Sequence, residues 1–100
     1  MYKLRILPGF QLELDEAVDH LMSVSPSAAL ALVDELERCF DRVTTFPFSM
    51  QPYPLAHRHA DTYHCIDVKN YLAFYVVLED FVEFRRFLPA RADLPRRLSN

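Results

Sequence analysis

The sequence has little of several residues that mark particular protein classes. It contains one glycine, two cysteines and no tryptophan among its 100 residues. A single glycine excludes the glycine-rich loops that hold nucleotide phosphates. Two cysteines are too few for a disulfide-stapled scaffold, and Cys39 and Cys65 lack the close spacing of a zinc or redox site. We therefore expect both to be buried, unreactive thiols.

Long hydrophobic runs are also absent. Charged residues interrupt every apolar stretch before it reaches the roughly 18 residues that a membrane-spanning helix needs. The first residues, Met1 to Leu7, have neither the apolar core nor the cleavage site of a signal peptide. These absences favour a cytoplasmic protein with no membrane partner.

What the chain does have is apolar and aromatic content. Hydrophobic residues make up 51% of it, and 13% is aromatic, which indicates a packed globule. One hundred residues suffice for one modest core but not for two, so residues 1–100 are predicted to form a single domain.

The first half of the chain predicts a strand and two helices. Residues 2–7 read as a short strand, closed by a turn at Pro8-Gly9. Apolar residues then recur at helical spacing from Phe10, and again from Pro26 to about Thr44. Ser25 before Pro26 is a typical N-cap, with proline at the first helical position. Two amphipathic helices with a short connection predict an antiparallel hairpin.

The second half predicts three strands after a proline-rich loop over residues 46–61. The strands are expected over residues 63–68, 71–78 and 81–88, with turns at Lys69-Asn70 and Glu79-Asp80. In the last strand simple alternation places Val82, Phe84, Arg86 and Leu88 on one face. The predicted fold class is α+β: an N-terminal strand and a helix hairpin packed on one face of a mainly antiparallel four-stranded sheet.

Charge is segregated along the chain. Residues 1–84 carry 6 basic and 13 acidic side chains, whereas residues 85–100 carry five arginines against one aspartate. Such segregation indicates either a surface for an anionic partner or an ordinary solvated tail. The candidate binding residues in this region are Arg85, Arg86, Arg91, Arg96 and Arg97.

Two segments give the chain a resemblance to the RelE/ParE superfamily of bacterial toxins. Residues 70–75, NYLAFY, are similar to an aromatic strand of the family, and residues 86–93, RFLPARAD, are similar to its C-terminal ending. Ser25-Pro26 and Phe46-Pro47 also resemble their counterparts in ParE-type members. The resemblance implies a type II toxin–antitoxin system, with growth inhibition and plasmid stabilisation as its outcomes and a cognate antitoxin as partner.

The resemblance leaves two targets open, the ribosome with its mRNA for RelE-like ribonucleases and DNA gyrase for ParE-like members. Leu72 stands where ribonuclease members have an arginine, Pro89 replaces a frequent histidine, and no tyrosine or histidine follows Tyr75. Arg86 and Arg91 are the remaining weak catalytic candidates. A ParE-like toxin that binds a protein is therefore favoured, with a ribonuclease or a non-toxic partner-binding module as alternatives.

Histidines offer two further candidates. His64 stands at a strand position where many relatives have arginine, so it is a candidate for binding, although an exposed strand histidine without a function is the simpler interpretation. His57-Arg58-His59 lies in the proline-rich loop, where nothing fixes a tetrahedral geometry, and we expect no metal site there. No cofactor is expected, nor sequence-specific DNA binding by this chain alone.

Overall fold

The computed structural model describes residues 1–50, 52 and 62–91. Within this part the chain forms two helices and four strands. They are β1 (Lys3–Ile6), α1 (Pro8–Val24), α2 (Pro26–Thr45), β2 (His64–Val68), β3 (Tyr71–Leu78) and β4 (Phe81–Pro89). The predicted order of elements is confirmed. The interpretation of residues 51–61 as a proline-rich loop lies, except for Pro52, outside the described residues.

The two helices begin at proline for the same physical reason. Pro8 is the first residue of α1, so the turn predicted at Pro8-Gly9 is wrong. A proline fits there because the first helical N–H groups have no partner within the helix. Ser25 separates α1 from α2, and its side chain accepts a hydrogen bond of 3.3 Å from the N–H of Ala28, as a helix cap does.

The strands form one sheet in the order β1-β4-β3-β2. β1 runs parallel to β4, while the β4–β3 and β3–β2 pairs are antiparallel. Both predicted tight turns are present, and each has one residue in the left-handed region, Lys69 with φ 59° and Glu79 with φ 54°. The prediction of a mainly antiparallel sheet is confirmed.

The core lies between the helix hairpin and one face of the sheet. Phe10 of α1 is fully buried, and its ring centroid lies 5.4 Å from that of Phe84 and 5.3 Å from that of Phe87. Phe40 of α2 packs on Phe84 at 4.8 Å. Edge-on contacts of this kind stabilise aromatic cores beyond the burial of area alone. The aromatic residues of β3 and β4 therefore serve mainly as core.

A β-bulge in β4 changes which side chains face the helices. Tyr75 lies opposite Phe84, whereas the preceding Phe74 lies opposite Arg86, so Arg85 is an extra residue in the strand. Beyond the bulge it is Phe87, not Arg86, that joins Phe84 in the core under the helices. The simple alternation predicted for this strand is therefore wrong at its C-terminal half.

No helix among the described residues is long and apolar enough to cross a membrane. Cys39 is buried and Cys65 is half-buried, and both are free thiols. Burial raises the pKa of Cys39, and it raises the pKa of Cys65 to about 12. Such thiols are poor nucleophiles, which agrees with the expectation of unreactive cysteines.

Candidate functional site

Arg86 is held by a carboxylate of α1 rather than pointing freely from the sheet. Its Nη2 lies 2.8 Å from Oε2 of Glu13, and its Nε lies 3.1 Å from Oε1. The arginine side chain is 23% exposed and the glutamate side chain 15%. These hydrogen bonds raise the pKa of Arg86 further above its usual range. The pair fastens the first half of α1 to β4.

Glu13 also completes the hydrogen bonding of the strand edge. β1 pairs with β4 only as far as Phe84, whose carbonyl accepts the N–H of Leu7 at 3.0 Å. Farther along this edge the N–H of Phe87 donates to Oε1 of Glu13 at 2.9 Å. One carboxylate therefore satisfies both a guanidinium and a backbone donor, which is a structural task.

Arg85 is engaged in a second ion-pair cluster. Its Nε lies 2.8 Å from Oε1 of Glu83, and Arg5 Nη1 approaches Oε2 of the same carboxylate at 3.1 Å. Glu83 is only 6% exposed. Burial alone would raise the pKa of Glu83, but the hydrogen bonds from Arg85 and Arg5 outweigh it and lower the pKa. This carboxylate therefore stays charged in the fold.

The predicted arginine surface is thus divided by the structure. Arg85 and Arg86 are half-buried and bound to carboxylates, whereas Arg91 is exposed directly after β4. Arg96 and Arg97 lie outside the described residues. Of the predicted arginines in the described part, only Arg91 is exposed. Arg85 and Arg86 instead make ion pairs that hold the fold together.

His64 is not on an exposed face, and that expectation is wrong. Its residue is 6% exposed, and Nδ1 lies 3.0 Å from the carbonyl oxygen of Met50. Its ring stacks on that of Tyr75, with centroids 5.3 Å apart and planes inclined by 17°. The Tyr75 hydroxyl donates to the carbonyl of Pro47 at 2.8 Å, so both rings hold the segment after α2. A buried histidine of this kind offers no surface to a partner.

A surface groove that the sequence did not reveal lies where the helix hairpin meets the far end of the sheet. Three adjoining recesses of about 370, 390 and 270 Å³ share Tyr71. The first and second also share Leu21 and Asn70, while the second and third share His20 and Pro89, so the recesses form one line. We name this feature the Tyr71 groove.

The floor of the Tyr71 groove is apolar and its ends differ in charge. Tyr71 stacks on Phe87, with ring centroids 4.9 Å apart and planes inclined by 10°. The first recess is lined by the hairpin and by Lys69, the second includes Arg91, and the third includes Glu13 and Glu16. The groove therefore runs from a basic end to an acidic end.

Sequence reasoning missed Glu13 because it has the signature of an ordinary solvated helix residue. It lies 73 residues before Arg86 in the chain, and no local pattern joins the two. Tyr71 offered a weaker signal, since it directly follows a predicted tight turn and so stands at a sheet end. Within residues 1–50, 52 and 62–91, no three histidine, cysteine or acidic side chains form a group that could hold a metal ion. The segment His57-Arg58-His59 lies outside that part.

Comparisons with known proteins agree with this geometry. Residues 4–94 match the family model described as the ParE toxin of a type II toxin–antitoxin system. A solved structure titled as a chromosomal ParDE toxin–antitoxin system from P. aeruginosa superposes with a TM-score of 0.71 at 15% sequence identity, covering 89% of this chain and 96% of that one. At this identity the likeness shows the fold. A comparison with curated proteins gave no match.

Proposed function

The chain belongs to the ParE toxin family of type II toxin–antitoxin systems, and from this premise we propose that it is a cytoplasmic toxin that binds a protein target, with DNA gyrase as the first candidate. A cognate antitoxin neutralises it. When released from the antitoxin, the toxin arrests bacterial growth, and a plasmid that carries the pair is thereby stabilised. The observation that carries this proposal is the family match, because it covers residues 4–94.

The Tyr71 groove is the surface on which we place the antitoxin. It is open, elongated and lined by apolar side chains with charges at its margins, as surfaces that receive a peptide segment usually are. At its floor the partly exposed ring of Tyr71 stacks on the buried ring of Phe87, which holds Tyr71 as a rigid apolar contact of the kind on which binding energy concentrates. Arg91 at its margin keeps the role predicted for it, as a contact to an acidic partner.

A ribonuclease mechanism has less support in the geometry. Ribonuclease chemistry needs cationic groups turned towards a phosphate and a group that moves a proton. Arg86, one of the two weak candidates, is bound by both oxygens of Glu13, and its position holds α1 on β4. Leu72 supplies no cation on the central strand. We therefore favour protein binding over RNA cleavage.

Induced expression with and without the adjacent open reading frame tests the proposal. We expect growth arrest from the chain alone and rescue by the neighbouring gene product. Purified chain at micromolar concentration should inhibit the supercoiling of relaxed plasmid by gyrase, and the antitoxin should reverse that inhibition. Primer extension on translated mRNA in the induced cells provides the comparison with a ribonuclease.

Each outcome has a distinct meaning. Growth arrest with unaffected gyrase and no new mRNA ends would retain a protein-binding toxin but remove gyrase as its target. New cleavage ends that appear on induction would replace the proposal by the ribonuclease alternative. Absence of growth arrest, together with a stable complex with the neighbouring product, would identify a partner-binding module without toxicity.

A further inference from the structure

The polarity of the Tyr71 groove restricts the segment that can fill it. Lys69 belongs to the first recess and Arg91 to the second, and both side chains are exposed. Neither makes an ion pair with another described residue. The basic half of the groove therefore has two cations available to a partner. An occupant that places carboxylates there gains attraction without breaking an ion pair between described residues.

The acidic end differs because its two carboxylates are not equivalent. Glu13 already accepts from Arg86 and from the N–H of Phe87 through both of its oxygens. Glu16 lies one helical turn farther along α1 and is exposed. Its carboxylate makes no hydrogen bond or ion pair with the other described residues. Glu16 is thus the carboxylate that can receive a cation from a partner.

Resting on the proposed toxin–antitoxin function, we propose that the antitoxin segment in the Tyr71 groove carries acidic side chains at the Lys69 and Arg91 end, apolar side chains over Tyr71, and a basic side chain at Glu16. The segment carries opposite charges at its two ends, so charge fixes its direction in the groove. Opposite charges placed in this way select the partner and its register as much as they add affinity.

The apolar lining of the groove explains why a peptide, and not a nucleic acid, fits this description. Leu21, Ala28, Ala31 and Leu32 of the hairpin line the first recess with Tyr71. A polyanion would gain little from these side chains and would meet the carboxylates of Glu13 and Glu16 at the other end. An amphipathic segment covers this apolar lining and also pairs with the charges at both ends.

Designed peptides test the charge order directly. Three capped peptides of about 14 residues, roughly 21 Å long as helices, share one leucine- and alanine-rich centre. The first has glutamates at one end and lysines at the other, the second has glutamates at both ends, and the third has lysines at both. Titration by NMR locates each peptide on the chain and gives its Kd.

The chain is used as wild type, as Glu16→Lys, and as Glu37→Lys. Glu37 is an exposed residue of α2 that does not line the groove, so its reversal is a matched control for the same change of charge. The amide spectrum of each variant verifies its fold. Growth rescue by the natural antitoxin is measured in parallel for each variant.

We expect the wild type to prefer the peptide with opposite ends by about fivefold, the value of one exposed ion pair near 1 kcal/mol. Glu16→Lys should reverse that preference in favour of the peptide with glutamates at both ends, while Glu37→Lys keeps it. Shifts should map to Leu21, Ala31 and Tyr71. An unchanged preference in Glu16→Lys, shifts outside the groove, or no binding at millimolar peptide would overturn the inference.

The two proposals fail separately. If the peptides bind as expected but the neighbouring gene product neither binds nor rescues growth, the toxin–antitoxin function is wrong while the polarity of the groove stands. If rescue occurs and is insensitive to Glu16→Lys, the function stands and the charge order is wrong. Self-association of the chain that the peptides do not compete away would assign the groove to a second copy and overturn the inference.

Discussion

Replacement of Glu13 by alanine removes the carboxylate that joins α1 to the part of β4 that β1 does not reach. In the variant the Arg86 guanidinium and the N–H of Phe87 both lose their carboxylate. Because the two side chains of the pair are 23% and 15% exposed, water can replace only part of what is lost. The variant should therefore fold to the same structure with reduced stability.

The magnitude follows from the type of contact. A hydrogen bond to a charged group contributes about 1.5–3 kcal/mol, whereas a fully exposed ion pair contributes about 0–1 kcal/mol. The Glu13–Arg86 contact is partly buried and Glu13 also accepts a backbone N–H, so we expect a loss in the upper range, about 2–3 kcal/mol. A domain of this size is stable by only about 5–15 kcal/mol. A loss of 2 kcal/mol corresponds to a fall in Tm of about 8–16 °C.

Three further variants separate the parts of this contact. Glu13→Gln keeps an oxygen for the N–H of Phe87 but removes the charge, so it should lose about half as much. Arg86→Met combined with Glu13→Ala forms a double-mutant cycle, for which we expect a coupling of about 1–2 kcal/mol. Glu16→Ala, one turn away and without a described partner, should stay within about 0.5 kcal/mol of the wild type.

Urea unfolding followed by circular dichroism measures these differences. The slope should stay constant across the variants, so that midpoints report stability alone. If Glu13→Ala unfolds at the wild-type midpoint and the cycle gives no coupling, Glu13 does not hold β4 and the account of the bulged edge is refuted. An equal loss in Glu16→Ala would also refute it, because it would indicate a general effect of charge on α1.

Three other predictions concern separate parts of the fold. The hydrogen bonds from Arg85 and Arg5 keep the pKa of Glu83 low in the fold. The ion pairs of Glu83 therefore stabilise the fold fully above the ordinary glutamate pKa of about 4.3, and this stabilisation is lost as the pH falls through the lowered pKa of the folded state. Glu83→Gln should therefore be clearly less stable than the wild type at pH 7, and a difference that does not shrink in acid would contradict this. Since burial raises the pKa of Cys65 to about 12, alkylation at pH 8 should be much slower in the native chain than in urea, whereas equal rates would show an accessible thiolate. Ser25→Ala should cost about 1 kcal/mol in urea unfolding, because its hydroxyl caps α2, and an unchanged midpoint would exclude that role.

The ends of the helices and strands could be predicted from the sequence because interactions between neighbouring residues determine them. Ser25 followed by proline predicts where α2 begins, and the structure starts this helix at Pro26. Alternation bounded by turn residues predicts β3, which spans Tyr71–Leu78 as expected. The error at Pro8 has a local cause too, since proline is compatible with both a turn and the first position of a helix.

The candidate site was harder to predict because its contacts join residues that are far apart in the sequence. The aromatic strand and the RFLPARAD segment were sufficient to indicate the family, which the match over residues 4–94 shows. The C-terminal arginines were candidate binding residues because of their charge, with Arg86 and Arg91 also part of the resemblance, and an ordinary solvated tail was the alternative. Charge says nothing of the carboxylates of Glu13 and Glu83, which the fold brings to two of these arginines.

The sequence by itself determined the order of the elements, their approximate ends and the class of the fold, because capping, turn chemistry and hydrophobic periodicity act over a few residues. Only the tertiary structure decided the bulge at Arg85, the burial of His64 and the line of recesses around Tyr71. These depend on which surfaces pack together after the chain has closed its long loops. A one-residue bulge moves every later side chain of β4 to the opposite face of the sheet. The hydrophobic periodicity of the strand does not indicate where such a bulge occurs.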